Sequence, residues 1–184
     1  MKTKILLSFI CLFSVLSLSA SAQDSEPSLV SYQAEVQAGV AISADSYSFT
    51  RLQLETIQGV RVGEYFSTGV GTGVNAIVSN EMDGGSNAIL WMPVYANFKG
   101  YLPVSSKVKL FASIDLGTMF QMRKSFDCMG FVYTPALGVS FGLKNGNAIN
   151  LSVGYESMCD GDSYSADENP LVYNTVSLKF AYRF

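Results

Sequence analysis

The sequence predicts an all-β fold, an eight-stranded antiparallel up-and-down transmembrane β-barrel. Three observations predict it. Apolar residues alternate with polar or small ones in eight segments, short connections alternate with long ones, and no apolar run after residue 22 is long enough for a membrane helix. The eight segments are 32–42, 51–62, 66–78, 89–102, 107–120, 130–143, 148–157 and 171–184.

The first segment shows the alternation clearly. Its even positions, from Tyr32 to Ile42, are apolar, and its odd positions, from Gln33 to Ala41, are polar or small. Across the chain, the second face is rich in glycine and small polar residues. A water-soluble sandwich or lipocalin-like barrel is the alternative, but its solvated convex face would carry Lys, Glu and Thr. The interior of an eight-stranded barrel is narrow. We therefore expect the face with glycine and small polar residues to point inside and the apolar face to contact lipid.

The connections alternate in length as they do in outer-membrane barrels, where periplasmic turns are short and extracellular loops are long. Short turns are predicted at 63–65, 103–106 and 144–147, the last with the hairpin signal Asn145-Gly146. Longer connections are predicted at 43–50, 79–88, 121–129 and 158–170. Both chain ends are therefore expected on the periplasmic side.

Two prolines lie inside predicted strands. Pro93 and Pro135 each remove a hydrogen bond from a ladder that has no free edge. We expect bulges there, or strands that begin later than the alternation suggests.

The N-terminus has the layout of a secretory signal peptide. Lys2 and Lys4 precede an apolar run at 5–18 and a small-residue site at 20–22. We predict a cleaved signal at 1–22, a short periplasmic lead-in at 23–31 and a barrel at 32–184. A membrane anchor is the alternative, but the run is shorter than the roughly 18 residues that a spanning helix needs. Cleavage takes the net charge from −3 to −5, because two of the 12 basic residues and none of the 15 acidic ones are lost. This balance argues against a nucleic-acid partner.

From Tyr32 to Phe184, the chain resembles the small OmpA/OmpX-type outer-membrane barrels, particularly the single-domain forms of Bacteroidetes. The resemblance rests on the eight-strand layout, the stretch MPVYANFKGYL at 92–102, which looks like strand four of such barrels, and the terminal FAYRF. It implies a location in the outer membrane of a Gram-negative cell, surrounded by membrane lipid. It also implies that the barrel-assembly machinery recognises the last strand through Phe180, Tyr182 and Phe184.

Strand parity predicts which charged residues point into the barrel lumen. Unpaired buried charges are costly, and eight strands leave an interior about wide enough for side chains alone. We therefore expect an internal network of salt bridges; a gated ion path or a small binding site is the alternative. The predicted lumen charges are Glu35, Glu55, Arg61, Lys99, Lys109, Asp115, Glu156, Lys179 and Arg183.

Catalysis is not expected. The chain contains no histidine, the usual general base near neutral pH, and no close pair of carboxylates replaces it. We predict no catalytic residues, no cofactor and no metal. The acidic residues of the last long connection are interpreted as solvated rather than as a calcium site. They are Asp160, Asp162, Asp167 and Glu168.

Two cysteines remain after signal cleavage, Cys128 and Cys159, at the outer ends of predicted strands six and seven. A disulfide between them is one reading for an exported protein, and two unpaired thiols are the other. The sequence leaves both open.

The function that these features favour is that of a non-enzymatic outer-membrane barrel with a side-chain-filled lumen. It would act as a structural or surface-interaction protein through its extracellular loops, with an extracellular protein or lipopolysaccharide as partner. The alternative is a narrow channel for ions or small solutes.

Overall fold

The computed structural model describes residues 29–44, 49–80, 89–122, 126–160 and 172–184. The predicted signal peptide lies outside the described residues, as do Asp162, Asp167 and Glu168 of the acidic connection. Within these ranges, no helix has the length and hydropathy needed to cross a membrane.

Strands make up most of the described chain. Each pairs antiparallel with its neighbour in sequence, and the last returns to the first, so the sheet is a closed barrel. This confirms the predicted fold class. The strands are β1 Val30–Ser43, β2 Phe49–Val62, β3 Phe66–Asn80, β4 Ile89–Pro103, β5 Val108–Met122, β6 Phe126–Gly142, β7 Ala148–Asp160 and β8 Val172–Arg183.

Pairing of β1 with β8 closes the barrel. Their ladder runs from the pair Glu35 and Arg183 to the pair Ser43 and Thr175. Beyond it, the backbone N–H of Phe184 donates to the carbonyl of Ala34 at 2.9 Å. The chain therefore stays hydrogen-bonded up to its last residue, and the sheet has no open edge.

The two faces of the sheet differ as the alternation predicts. Outward side chains are apolar and exposed: Leu54 is 60% exposed, Leu137 71% and Leu178 62%. Inward polar side chains are buried, among them Gln53 and Glu55, each 4% exposed. A water-soluble barrel has the reverse arrangement, with its apolar residues inside. The apolar face is therefore on the outside.

The short turns lie at the end of the barrel where β1 begins and β8 ends. The turn after β6 contains the 3-10 helix Lys144–Gly146, in which Asn145 and Gly146 have φ of 66° and 79°. Two successive residues with positive φ are what the Asn-Gly signal predicts. At the other end, the connection between β5 and β6 is shorter than expected, because β5 extends to Met122 and β6 begins at Phe126.

The expectation about the two prolines is wrong. Beside Pro93 and Pro135 the ladder to one neighbouring strand lapses and then resumes in the same register. On the other side, both prolines stay opposite residues of β5. Each proline thus costs local pairing on one side only, and no bulge is needed. The bulges lie elsewhere, near Arg51 and near Met119.

Interior glycines make room for large lumen side chains. A Cβ added to Gly71 would lie 2.3 Å from the ring of Tyr95, and one added to Gly138 would lie 2.4 Å from the ring of Phe111. Each aromatic ring therefore lies over the glycine paired with it on the neighbouring strand, where there is no side chain. The glycine-rich inner face and the lumen aromatics are complementary in shape.

We predict that Gly71→Ala lowers the free energy of unfolding by about 1–3 kcal/mol, because the added methyl group displaces Tyr95 in a packed interior. Urea unfolding of the refolded barrel, followed by fluorescence of its single tryptophan, Trp91, measures this. Gly100→Ala is the matched control, since a Cβ there meets nothing within 4 Å. Equal effects of the two substitutions would contradict the role assigned to Gly71.

Candidate functional site

The barrel interior is the candidate site, because it gathers most of the described charged side chains. They lie at successive levels along the barrel axis. The lower end is the end where β1 begins, β8 ends and the short turns lie, and the upper end is opposite.

Glu35 of β1 is the centre of one level. It is 1% exposed, and both of its carboxylate oxygens accept from Lys99 Nζ, at 2.9 and 3.0 Å. Gln37 donates to one oxygen at 2.6 Å, and Asn150 donates to the other at 2.9 Å. Each carboxylate oxygen therefore accepts from two donors, so the hydrogen-bonding capacity of the carboxylate is fully used.

Glu55 of β2 is the centre of the next level up. It accepts from Lys179 Nζ at 2.8 Å and from the hydroxyl of Tyr95 at 2.9 Å. Close by, Asp115 accepts from Asn97 Nδ2 at 2.5 Å. Like the pair of Glu35 and Lys99, the pair of Glu55 and Lys179 joins strands that are far apart in sequence.

Arg51 forms a third ion pair, which the sequence analysis missed. Its Nη2 donates to Glu156 and, at 3.0 Å, to the hydroxyl of Thr175. Its guanidinium lies 5.6 Å from the ring centre of Phe49 and 5.1 Å from that of Trp91. The predicted second strand begins at this residue, but the predicted lumen set does not include it. Parity alone places it on the same face as Glu55.

Above Arg51 lies a group of inward-facing apolar side chains, which we call the upper cluster. Isolated apolar residues on a polar face carry no periodic signal, so the sequence analysis did not identify them. They pack together near the upper end of the lumen. The upper cluster consists of Phe49, Ile77, Trp91, Met119, Val132 and Met158.

At the lower end of the lumen, basic side chains lie beside an aromatic ring or at the rim. Arg61 and Arg183 lie 5.2 and 5.8 Å from the ring centre of Tyr101. Lys109, predicted to be a lumen residue, lies at the rim, where its Nζ is 3.4 Å from the exposed carboxylate of Glu64.

Two of the cavities among the described lumen residues have a volume of about 20 Å³ each. A cavity of this size has room for about one water molecule. Asp115, Thr134 and Lys179 line both of them. The space around these three side chains is therefore narrow. Among the described residues, no three His, Cys, Asp or Glu side chains come together as metal ligands.

The disulfide that the sequence left open is not formed. Cys128 and Cys159 are free thiols. Cys159 is opposite Phe131, while Cys128 lies three positions away on β6, opposite Phe120. This offset separates the two Cα atoms by more than the roughly 6.8 Å that a disulfide spans. The Cys128 Sγ lies 3.1 Å from the hydroxyl of Thr118 instead.

The aromatic residues of the last strand point outward. Phe180 is 50% exposed and Phe184 60%. Tyr182 packs edge-on against Phe184 with ring centres 4.8 Å apart, and its hydroxyl accepts from Asn147 Nδ2 at 2.8 Å. All three face the surroundings of the barrel; their role in assembly stays a prediction.

A closed eight-stranded barrel, apolar outside and filled with paired charges inside, has the architecture of the small outer-membrane β-barrels. It is similar to the crystal structure of Neisserial surface protein A, with a TM-score of 0.60, 15% identity, and coverage of 85% of this chain and 96% of that one. It is also similar to the outer membrane protein OprG from Pseudomonas aeruginosa, with a TM-score of 0.50, 10% identity, and coverage of 83% and 95%. At a TM-score of 0.46 and 12% identity, it matches the outer membrane enzyme PagL, covering 80% and 97%. No family model and no curated protein matches the chain. At these identities, the likenesses show the fold alone.

We predict that Lys179→Met lowers the free energy of unfolding by about 3–5 kcal/mol, because it leaves the Glu55 carboxylate buried without its cation. Adding Glu55→Gln to this variant should restore about half of the loss, since the unpaired charge is removed. Urea unfolding followed by Trp91 fluorescence gives both values.

The control for this cycle is Lys109→Met, which breaks an ion pair whose carboxylate is exposed. We expect it to cost no more than about 1 kcal/mol. If the double variant loses as much stability as the sum of its single variants, the two groups are not coupled and the ion pair does not brace the barrel.

Proposed function

We propose that this chain is a non-enzymatic outer-membrane β-barrel protein that acts as a structural or surface-interaction protein. The observation that carries the proposal is the packing of the interior, where Arg51, Lys99 and Lys179 each meet a buried carboxylate. A lumen filled in this way serves as a scaffold. The connections at its upper end are then the part available to partners.

The outer surface supports a location in lipid. Aromatic side chains lie at both rims, where amphipathic rings sit at a membrane interface. Tyr32 and Phe66 are exposed at the lower end, and Phe131 and Tyr155 at the upper end. The similarity in fold to Neisserial surface protein A and OprG supports the outer membrane as that location. Export by an N-terminal signal and insertion by the barrel-assembly machinery are parts of the same proposal.

A narrow channel is the less favoured function, because a hydrated ion would have to displace several packed groups. The upper cluster packs near one end, and the three ion pairs cross the lumen below it. Breaking such pairs leaves buried charges without partners, which is costly.

The partner is expected to bind the upper connections, since the outer wall faces lipid and the interior is filled. An extracellular protein or lipopolysaccharide fits this position. Loops held by a rigid barrel are free to vary in sequence without affecting the scaffold.

We predict that the unboiled protein migrates differently from the boiled protein on a detergent gel, because closed barrels stay folded in detergent until heated.

In planar bilayers, the same preparation should show no steady single-channel current. Replacing both Phe49 and Trp91 by Ala should still give no steady current, because the three ion pairs cross the lumen below the upper cluster; Leu54→Ala, on the outer face, is the control. Steady current through the unaltered protein would overturn the scaffold in favour of a channel.

The surface-interaction function predicts that the connections, not the lumen, determine binding. Replacing residues 81–88 by a Gly-Ser segment of equal length should weaken binding of purified lipopolysaccharide by at least about tenfold, as loss of a contact region does. Lys109→Met, at the lower rim, is the control and should bind normally. Unchanged binding after replacement of both 81–88 and 161–171 would exclude these connections as the binding surface.

A further inference from the structure

Two arginines at the lower end of the lumen have no carboxylate partner in the described part of the chain. Arg61 of β2 and Arg183 of β8 lie 5.2 and 5.8 Å from the ring centre of Tyr101. Both guanidinium groups lie within 6 Å of the same ring centre, so the two positive charges are within about 11 Å of each other. Like charges repel each other, and an anion bound near both would relieve the repulsion. We call these three residues the lower mouth.

Neighbouring carboxylates are already engaged. Glu35 is directly opposite Arg183 in the β1–β8 ladder, but Lys99, Gln37 and Asn150 occupy both of its oxygens. Glu64 is turned outward, with 71% of its side chain exposed and Lys109 at 3.4 Å. The chain therefore brings two cations to the lower mouth without supplying an anion from these nearby groups.

The lower mouth also contains polar atoms without partners. Arg183 is 6% exposed and its Nη1 has no hydrogen-bond acceptor, and Tyr101 is 5% exposed and its hydroxyl has no partner. Leaving buried donors unpaired costs free energy, and the cost is larger for a charged group. Arg61 is held in place by the turn after β2, since its Nε and Nη2 donate to the carbonyls of Gly63 and Glu64 at 3.1 and 3.2 Å.

We propose that the lower mouth is a binding site for a phosphate group. Two guanidinium groups match the two negative charges of a phosphate or phosphomonoester dianion, and arginine is well suited to oxyanions because of its fork of donors. The Tyr101 hydroxyl adds a neutral donor. Arg61 is half-buried, which gives the ligand access from the aqueous space at this end.

The source of the phosphate is expected to be soluble, because the three side chains face the lumen and not the lipid. Only the description of this end as periplasmic rests on the proposed function. The site itself follows from the barrel geometry and is tested separately from the location of the protein.

The test is titration calorimetry of inorganic phosphate into the barrel refolded in octyl glucoside, a detergent without phosphate. We expect saturable binding that Arg183→Gln and Arg61→Gln each weaken by at least about tenfold, as loss of a hydrogen bond to a charged group does. Tyr101→Phe keeps the ring and should weaken binding several-fold. Lys107→Gln, an exposed charge in the turn at the same end, is the control and should bind like the unaltered protein.

Each sample is first checked for the heat-dependent gel shift, so that loss of binding is read only from folded barrels. A folded barrel that shows no saturable phosphate binding overturns the site. So does binding that depends on Lys107 and not on Arg61 or Arg183, or that is tighter for acetate than for phosphate. Phosphatidic acid added to the micelles distinguishes the source: competition with inorganic phosphate indicates a lipid headgroup, and lack of competition indicates a soluble ligand.

Discussion

The ladder between β1 and β8 is the interaction on which the rest of the structure depends. A sheet in lipid cannot leave backbone N–H and C=O groups unpaired, because each unpaired group costs several kcal/mol. Closing the sheet with its eighth strand removes both of its open edges. It also sets the circumference, and through it the width of the interior. The narrow lumen and its contents are thus consequences of where the ladder closes.

The contents of the lumen connect walls that the backbone ladder does not. Lys99 on β4 reaches Glu35 on β1, Lys179 on β8 reaches Glu55 on β2, and Arg51 on β2 reaches Glu156 on β7. Backbone hydrogen bonds join only neighbouring strands. The ion pairs with β4 and β7 cross the lumen. Backbone hydrogen bonds therefore stabilise the barrel around its circumference, and these ion pairs stabilise it across the lumen.

Much of this fold is predictable from the sequence. In a strand, parity alone decides which side chains point inward, and it assigned Glu35, Glu55 and Lys179 correctly to the interior. Parity does not decide which inward groups meet, because partners across a lumen belong to strands separated by many residues. Arg51 is a different case: it lies inside the predicted second strand on the same face as Glu55, so parity predicts it in the lumen although the predicted set omits it.

The prolines and cysteines show that local sequence rules do not include the pairing between strands. Pro93 and Pro135 break a local rule of strand pairing, and the closed sheet tolerates them because the remaining pairs on both sides keep the register. Cys128 and Cys159 lie on neighbouring strands, but a disulfide depends on an offset of a few ångströms. The register of β6 against β7 sets that offset, and no signal in the sequence located it.

The arrangement of charge along the lumen has a physical order. At the levels of Glu35, Glu55 and Glu156, each described basic lumen side chain meets a carboxylate, since unpaired charge in a low-dielectric interior is costly. Arg61 and Arg183 lack such a partner and lie at the lower mouth. Solvent lowers the cost of the unpaired charge of half-buried Arg61, whereas Arg183, 6% exposed, is as buried as the paired Lys179 at 9%. Arg61 and Arg183 do not neutralise a buried carboxylate, so their charges are available for binding a ligand.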